Sequence, residues 1–256
     1  MWQEDRHQRI RAILATLGRV STERIMAELG VSRETVRRDL VDLEALGELR
    51  RVHGGATHPA DEAPITERSH TRVKAKRSIA RAATALVKSG QIIFIDAGTT
   101  TSILAEELAR LGNLTVITNS IDVAQKMRAA SDKGEASNEV ILLGGSVSDR
   151  ALATVGGTTV AEIQRYHADL ALLSPVAIDH RHGATSFDHA ETEVARAMVT
   201  NAERVVILAD YSKLGQCSRI AFCPVNRVDT LVTNRNGAET AALRALRKKL
   251  PKVILA

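Results

Sequence analysis

From residue 92 to residue 255, short apolar segments alternate with amphipathic ones, and this alternation constrains the fold more than any other feature. The amphipathic segments have helical spacing and cover residues 101–110, 121–130, 191–201 and 238–249. The apolar segments have the length of buried strands and cover residues 92–96, 114–118, 140–143, 170–174, 204–209, 230–233 and 252–255. Such alternation predicts an α/β fold, with a mostly parallel sheet covered by helices on both faces.

The first 57 residues have the pattern of a small helical domain with a hairpin. Apolar residues recur at helical spacing between positions 10 and 17. Ser21 and Ser32 stand at the N-cap positions of two further helices, which are separated by a turn at Gly30. The segment 48–56 then predicts a short two-stranded wing. We therefore expect a winged helix–turn–helix domain.

The positive charge lies mainly at the junction between these two parts. Of the formal net charge of +5, residues 1–58 contribute +1 (ten basic and nine acidic), and residues 59–88 contribute +4 (seven basic and three acidic). Pro59 and Pro64 lie where hydrophobic periodicity is lacking, as in a linker. We expect domains over 1–57 and 73–256, joined by a linker over 58–72. The basic residues 68–81 form either an arm that tracks DNA or the start of a helix.

The third helix of the small domain has one apolar and one polar face. Val36, Leu40 and Leu43 fall on the apolar face, so the arginines and hydroxyls between them point outward. Arginine on such a helix reaches guanine in the major groove, and hydroxyls bind phosphate. The predicted DNA-binding residues are Ser32, Arg33, Glu34, Thr35, Arg37 and Arg38 on the helix, and Arg51 and His53 in the wing. The alternative is a solvated charged face on a helical bundle.

Polar and glycine-rich turns follow five of the predicted strands. The turn from Asp96 to Thr101 opens a helix, and Gly98 lets the backbone approach a ligand closely. Ligands of parallel α/β sheets gather at the carboxyl ends of the strands. The residues predicted to bind a phosphorylated effector are Asp96, Gly98, Thr99, Thr100, Thr101, Asn119, Gly145, Ser174 and Lys213. For the turn alone, an ordinary helix N-cap is the alternative.

Composition excludes several other classes of protein. Aromatic residues make up 2% of the chain, which argues against proteins that stack single-stranded bases on ring faces. No apolar run approaches the length of a membrane span, and no signal segment is recognisable at the N-terminus, so we expect a cytoplasmic protein. Two cysteines are too few for a disulfide framework or a zinc site. We expect no cofactor.

A second polar segment contains potential metal ligands. Asp179, His180 and His182 lie close in sequence, and Asp188 and His189 follow shortly after. Imidazole and carboxylate groups are metal ligands. A mobile polar loop at the rim of the effector pocket is the favoured interpretation, so we expect no metal.

Several motifs resemble the DeoR-type family of bacterial transcriptional regulators. In the small domain these are Thr35-Val-Arg-Arg-Asp-Leu40 and Arg51-Val-His-Gly-Gly-Ala56. Later in the chain they are Lys76-Arg-Ser-Ile-Ala80, Asp96-Ala-Gly-Thr-Thr-Thr101 and Leu208-Ala-Asp-Tyr-Ser-Lys213. The resemblance covers nearly the whole chain. It also favours a helix, rather than a flexible arm, for the basic residues near position 76.

The resemblance implies a repressor of a carbohydrate-related operon that binds double-stranded operator DNA. It also implies a C-terminal domain that senses a phosphorylated sugar or related intermediate and that is similar in fold to ribose-5-phosphate isomerase and glucosamine-6-phosphate deaminase. We expect a homo-oligomer, either a dimer or a higher even number. The alternative is an active isomerase or deaminase that carries a DNA-binding domain. The segment Ile178–His182 stands near where the acidic catalytic motif of the isomerases is sought, and it lacks that motif, so we expect no enzyme activity.

Overall fold

A computed structural model of the chain describes residues 2–17, 19–46, 48–52, 54–57, 65–132, 137–148 and 151–256. Its contacts divide the chain into two compact units, Met1–Ala63 and Pro64–Ala256. Two features of the sequence analysis fall outside the described residues: His53 and the part of the expected linker over 58–64. The domain boundaries at residues 57 and 73 remain a prediction.

The first unit contains three helices and a three-stranded antiparallel sheet. In chain order the elements are α1 (Gln3–Leu17), β1 (Arg19–Ser21), α2 (Thr22–Leu29), α3 (Arg33–Ala45), β2 (Arg50–Val52) and β3 (Gly55–Thr57). The strand order is β1–β3–β2, so the predicted wing is confirmed as β2 and β3. Strand β1 was missed because three residues cannot show an alternating pattern. Glycine at position 55 lets β3 lie close to β1, since a Cβ there would be 2.1 Å from the Val20 carbonyl oxygen.

The second unit is built on a seven-stranded parallel sheet that contains all seven predicted strands. The elements before residue 157 are α4 (Ile65–Ser69), α5 (Val73–Thr84), β4 (Ile92–Ile95), α6 (Thr99–Leu108), β5 (Thr115–Thr118), α7 (Ile121–Asp132), β6 (Glu139–Leu142), β7 (Ser146–Val147) and β8 (Thr154–Val155). The remaining elements are α8 (Gly157–Ile163), β9 (Ala168–Leu173), β10 (Ala177–Asp179), β11 (Gly183–Ser186), α9 (His189–Thr200), β12 (Ala202–Leu208), β13 (Ile220–Cys223), β14 (Thr230–Thr233), α10 (Ala241–Arg247) and β15 (Lys252–Leu255).

The order of strands in this sheet is β15–β14–β12–β9–β4–β5–β6. The chain runs from β4 outward through β5 to β6 and then returns to place β9 on the other side of β4. From β9 it continues outward through β12, β14 and β15. The direction of winding therefore reverses between β4 and β9, and in such sheets the reversal opens a crevice at the carboxyl ends of the two strands.

Apolar layers cover both faces of the sheet, as the sequence predicts. Successive residues of β4 point to opposite sides: Phe94 joins the layer under α8, α9 and α10, whereas Ile93 and Ile95 join the layer under α5, α6 and α7. All three side chains are fully buried. This alternation explains why the strands are continuous apolar runs, since both of their faces are buried.

Two segments have more regular structure than the sequence indicates. Helix α5 begins at Val73 and buries Lys76, so the helix interpretation of the basic stretch is correct from that residue on. The polar segment interpreted as a loop contains the hairpin of β10 and β11, which pairs with β13 in a second, antiparallel sheet. Asp188, at the end of this segment, is the N-cap of α9 and accepts a hydrogen bond from the Glu191 amide at 3.0 Å.

Among the described helices, none combines the length and the apolar composition that crossing a membrane requires.

Candidate functional site

The predicted recognition helix α3 carries its polar residues on one exposed face. Ser32 is its N-cap, and the Ser32 Oγ accepts a hydrogen bond from the Thr35 amide at 3.2 Å. Arg33, Arg37 and Arg38 are exposed. On the opposite face, Val36, Leu40 and Leu43 are buried in the core of the unit, as predicted. The helix therefore presents a basic surface that the core holds at a fixed orientation.

Ion pairs hold the exposed arginines of α3. The Arg37 guanidinium donates two hydrogen bonds of 2.9 Å to the Glu34 carboxylate, and Arg38 donates one of 3.2 Å. Arg33 pairs with Glu23 of α2 at 2.5 Å. The hydrogen bonds from Arg37 lower the pKa of Glu34 to about 2. Glu34 therefore orients the two arginines on the exposed face of α3.

The wing contributes one described basic residue of the predicted set. Arg51 on β2 is exposed, and its Nε lies 2.7 Å from the Glu44 carboxylate. The backbone amide of Arg51 donates to the same carboxylate at 2.8 Å, which ties the wing to the end of α3. The hairpin and the recognition helix are thus held to each other by one acidic residue.

Asp39 is a residue of this unit to which the sequence analysis assigned no role. It lies three residues after Val36 on the buried side of α3 and is 1% exposed. Its carboxylate accepts hydrogen bonds from the Arg6 Nε at 2.6 Å and Nη2 at 2.8 Å, and it lies 3.3 Å from the His7 Nε2. A charged residue at an apolar position of the stripe is the signal that points to such a buried pair. Asp39 fixes α3 against α1.

In the second unit, Asp96 and Ser174 meet across the switch point. Asp96 follows β4 and Ser174 follows β9, and the Ser174 amide donates to the Asp96 Oδ2 at 2.8 Å. The Asp96 Oδ1 is buried and has no hydrogen-bond partner among the described residues. A buried acceptor without a partner is costly, so this oxygen is available to a hydroxyl donor.

The turn before α6 packs closely against Ser174. A Cβ on Gly98 would lie 3.1 Å from the Thr101 Oγ1 and 3.3 Å from the Ser174 Cβ. Helix α6 then begins with Thr99, Thr100 and Thr101, which are all buried, and the Thr100 hydroxyl has no partner among the described residues. The first amides of a helix attract anions. This N-terminus opens onto the carboxyl ends of β4 and β9.

Two lysines bring positive charge to the same region. The Lys213 Nζ donates to the Pro175 carbonyl oxygen and lies 3.4 Å from the Ser174 Oγ. Lys76 of α5 is buried, and its Nζ donates to the Arg68 carbonyl oxygen at 2.5 Å. Burial, and then the charge of Lys213, lower the pKa of Lys76 to about 8. In the sequence, Lys76 is one member of a basic stretch, and nothing local shows that it is buried.

The other two predicted effector residues lie after β5 and β6. The Asn119 Nδ2 donates to the Thr154 carbonyl oxygen at 2.9 Å, and its Oδ1 is buried with no partner among the described residues. Gly145 has a φ of +144°, and a Cβ there would lie 2.1 Å from the Thr159 Oγ1. The packing of α8 therefore explains this glycine, whereas Asn119 retains an acceptor that a ligand can use.

Burial raises the pKa of Asp96 to about 7, against the opposing effects of the Ser174 amide, the Thr101 hydroxyl and the Lys213 charge. Between pH 4 and pH 7 the folded protein therefore holds a proton that the unfolded chain releases. We expect the free energy of unfolding of this unit to fall as pH rises through that window, by on the order of 3–4 kcal/mol, and to level off above it.

Denaturant unfolding at pH 5 and pH 8 measures this slope, and Asp96→Asn should flatten it because the amide does not titrate. Glu239→Gln changes an exposed carboxylate of the same unit and should retain the slope. An Asp96→Asn variant with the wild-type slope would show that another group binds the proton.

A winged helix–turn–helix unit, followed by a parallel α/β unit with buried polar groups at its switch point, defines a two-domain class of protein. One unit suits duplex DNA, and the other suits a small polar ligand.

Comparison with known proteins identifies the family within this class. Residues 6–62 match the model of the DeoR-like helix-turn-helix domain, and residues 71–235 match that of the DeoR C terminal sensor domain. The chain therefore belongs to the DeoR family, and it is a DNA-binding transcriptional regulator with a C-terminal sensor domain.

Named relatives span nearly the whole chain. The HTH-type transcriptional repressor GlcR of Bacillus subtilis is 37% identical over 92% of this chain and 90% of its own length. The Glycerol-3-phosphate regulon repressor of Escherichia coli is 31% identical over 91% of this chain and 92% of its own length. Among solved structures, ribose 5 phosphate isomerase A of Neisseria gonorrhoeae matches with a TM-score of 0.39 and 17% identity, over 54% of this chain and 52% of the isomerase.

Proposed function

We propose that the chain represses a carbohydrate-related operon and that a phosphorylated sugar or related intermediate, bound at the switch point of the second unit, controls its binding to operator DNA. The observation that carries this proposal is the hydrogen bond between Asp96 and Ser174, which brings the turn before α6 beside Lys213. The names of the two relatives, a transcriptional repressor and a repressor of a glycerol-3-phosphate regulon, support it.

The switch point has separate groups for the phosphate and for the hydroxyls of such a ligand. A phosphate fits the N-terminus of α6 and the ammonium group of Lys213, because both attract anions. The sugar hydroxyls fit the Asp96 Oδ1 and the Asn119 Oδ1, two buried acceptors that have no partner among the described residues. A ligand that satisfies buried acceptors gains affinity that a bare phosphate ion does not.

On the DNA side, α3 is the element that enters the major groove, and Arg37 and Arg38 are its base-reading candidates. Ser32 and Thr35 contact phosphate, and Arg51 of the wing contacts the backbone. A homo-oligomer with an even number of copies places two such helices on repeated half-sites. For the ligand to act on DNA affinity, it must bind the two conformations of the protein unequally, and coupling of about 1–3 kcal/mol is typical.

We expect Arg37→Ala to weaken binding to the specific operator by about 10- to 100-fold, because a bidentate contact to a base is worth about 1–3 kcal/mol. Fluorescence anisotropy with labelled operator and with unrelated duplex measures the specific and the non-specific affinity. The thermal stabilisation that the ligand gives to the second unit should be unchanged.

Arg9→Ala removes an arginine that is exposed on α1 instead of α3, and it should bind the operator as tightly as the wild type. Equal loss of affinity in both variants would show that Arg37 contributes only to the general positive charge.

We also infer that the protein does not catalyse a reaction of its effector. The residues around Ile178–His182 form a hairpin whose one carboxylate, that of Asp179, accepts hydrogen bonds from the Arg181 and His182 amides. Both amides bond to its Oδ1, and residues 178–182 offer no second carboxylate with which Asp179 could form an acid–base pair. Incubation of the pure protein with pentose phosphates and amino-sugar phosphates should give no turnover. Steady turnover that is lost in Lys213→Ala would contradict a purely regulatory role.

A further inference from the structure

Three side chains that can bind a metal ion meet beside the β10–β11 hairpin. Asp179 is the last residue of β10, His182 lies in the turn that follows, and Cys217 comes from a segment more than thirty residues later. One ligand atom from each of the three lies within 4.8 Å of the other two. The sequence alone does not associate Cys217 with the histidines, because only the fold brings Cys217 to the hairpin.

The hairpin holds two of these ligands in place. The Asp179 Oδ1 accepts hydrogen bonds from the Arg181 amide at 2.7 Å and the His182 amide at 2.6 Å. This leaves the Asp179 Oδ2 facing the His182 Nδ1 at 2.9 Å. A carboxylate oxygen and an imidazole nitrogen thus lie side by side. Two tetrahedral ligands at 2.0–2.1 Å from one ion are about 3.3 Å apart, so the distance between these two atoms must increase by only about 0.4 Å.

Hydrogen bonds on both sides of Cys217 hold the third ligand. Before it, the Gly215 amide donates to the Ile178 carbonyl oxygen at 2.8 Å. After it, the Ser218 amide donates to the Thr185 Oγ1 at 2.9 Å. Cys217 is exposed, so its side chain can turn toward the hairpin without disturbing the core. The backbone of this site therefore requires little rearrangement when an ion binds.

We propose that Asp179, His182 and Cys217 bind a Zn²⁺ ion, with water as the fourth ligand. Oxygen, nitrogen and sulfur donors together suit zinc and similar transition metals, whereas Mg²⁺ and Ca²⁺ require oxygen ligands. Three protein ligands and one open position form a recognised type of zinc coordination.

Binding exchanges the thiol proton for the metal ion. A cysteine thiol ordinarily carries its proton at neutral pH. When Zn²⁺ binds, the sulfur forms the metal bond as a thiolate and one proton goes to solvent; no oxidation takes place. The ion would link the hairpin to the segment four residues after Lys213. This site does not depend on the proposed effector.

Titration of the full-length, reduced and metal-free protein with Zn²⁺, followed by calorimetry, tests the proposal. We expect one equivalent to bind with a Kd of about 1 µM or tighter. Cys217→Ser and His182→Ala should each weaken binding by at least about tenfold. The matched controls are Cys223→Ala, which changes the buried cysteine, and His180→Ala, which changes a histidine outside the cluster; both should bind as the wild type does.

Binding of Co²⁺ gives a second test, because a thiolate-to-cobalt absorption band reports coordination by a cysteine, which non-specific binding to surface carboxylates does not produce. A thiolate-to-cobalt absorption band should appear in the wild type and in both controls, and it should be absent from Cys217→Ser. Circular dichroism establishes that each variant is folded. The absence of the band in the wild type, or equal Zn²⁺ affinity in Cys217→Ser and the wild type, would overturn the proposal.

Discussion

Lys213→Ala is expected to lose the response to a phosphorylated effector while binding operator DNA as the wild type does. The Lys213 Nζ lies 3.4 Å from the Ser174 Oγ, beside the hydrogen bond that joins Ser174 to Asp96. A charge-assisted hydrogen bond to phosphate contributes about 1.5–3 kcal/mol, so effector affinity should fall by about 10- to 150-fold. Thermal shift of the second unit as a function of sugar-phosphate concentration measures this loss.

The matched control for this variant is Lys252→Ala. Lys252 is exposed at the first position of β15, at the amino end of the sheet, whereas Lys213 lies at the carboxyl end. Both substitutions remove one positive charge from the same unit, and only Lys213→Ala should impair the response. If the two variants respond equally to the effector, the switch point is not its binding site.

Asp39→Ala is expected to destabilise the first unit by about 3–5 kcal/mol, because removing one partner of a buried ion pair leaves the other uncompensated. Arg6 and His7 of α1 both lie against the Asp39 carboxylate, and the Arg6 side chain is only 15% exposed. Since this pair fixes α3 against α1, operator binding should fall together with stability. Denaturant unfolding of the first unit measures the change.

Asp42→Ala tests whether the effect belongs to burial rather than to the loss of an acidic residue from α3. Asp42 is exposed, three residues further along the same helix, and accepts a hydrogen bond from the Gln3 Nε2 at 2.7 Å. We expect a change within about 0.5 kcal/mol for this variant. Equal stability of Asp39→Ala and Asp42→Ala would contradict the role given to the buried pair.

Hydrophobic pattern was sufficient to predict the main sheet, because its strands are buried on both faces and appear as continuous apolar runs. The strands of the second sheet are shorter and more polar. Strand β10 has three residues and ends in Asp179, and β11 contains Thr185 and Ser186. Strand β13, which pairs with β11, lies more than thirty residues later in the chain. The sheet therefore depends on a long-range contact that no local sequence pattern indicates.

The candidate effector residues were predictable wherever a polar side chain directly follows a strand, as Asp96 and Ser174 do. Lys76 and Asp39 were not assigned a role because their importance comes from burial. Lys76 lies among arginines that remain exposed, and its distinction appears only when α5 packs on the sheet. Asp39 does have a local signal, because it is a charged residue within an apolar stripe. The reason for that charge is visible only in the structure, where Arg6 and His7 lie against the Asp39 carboxylate.

The central claim is that a phosphorylated ligand in the second unit controls DNA binding by the first. Its most direct test is the anisotropy of labelled operator DNA bound to the full-length protein, titrated with a panel of sugar phosphates and with the corresponding unphosphorylated sugars. We predict that at least one sugar phosphate changes operator affinity by about 5- to 150-fold, that its unphosphorylated form does not, and that Lys213→Ala abolishes the effect. Operator affinity that stays constant across the panel, or an unchanged response in Lys213→Ala, would contradict the account.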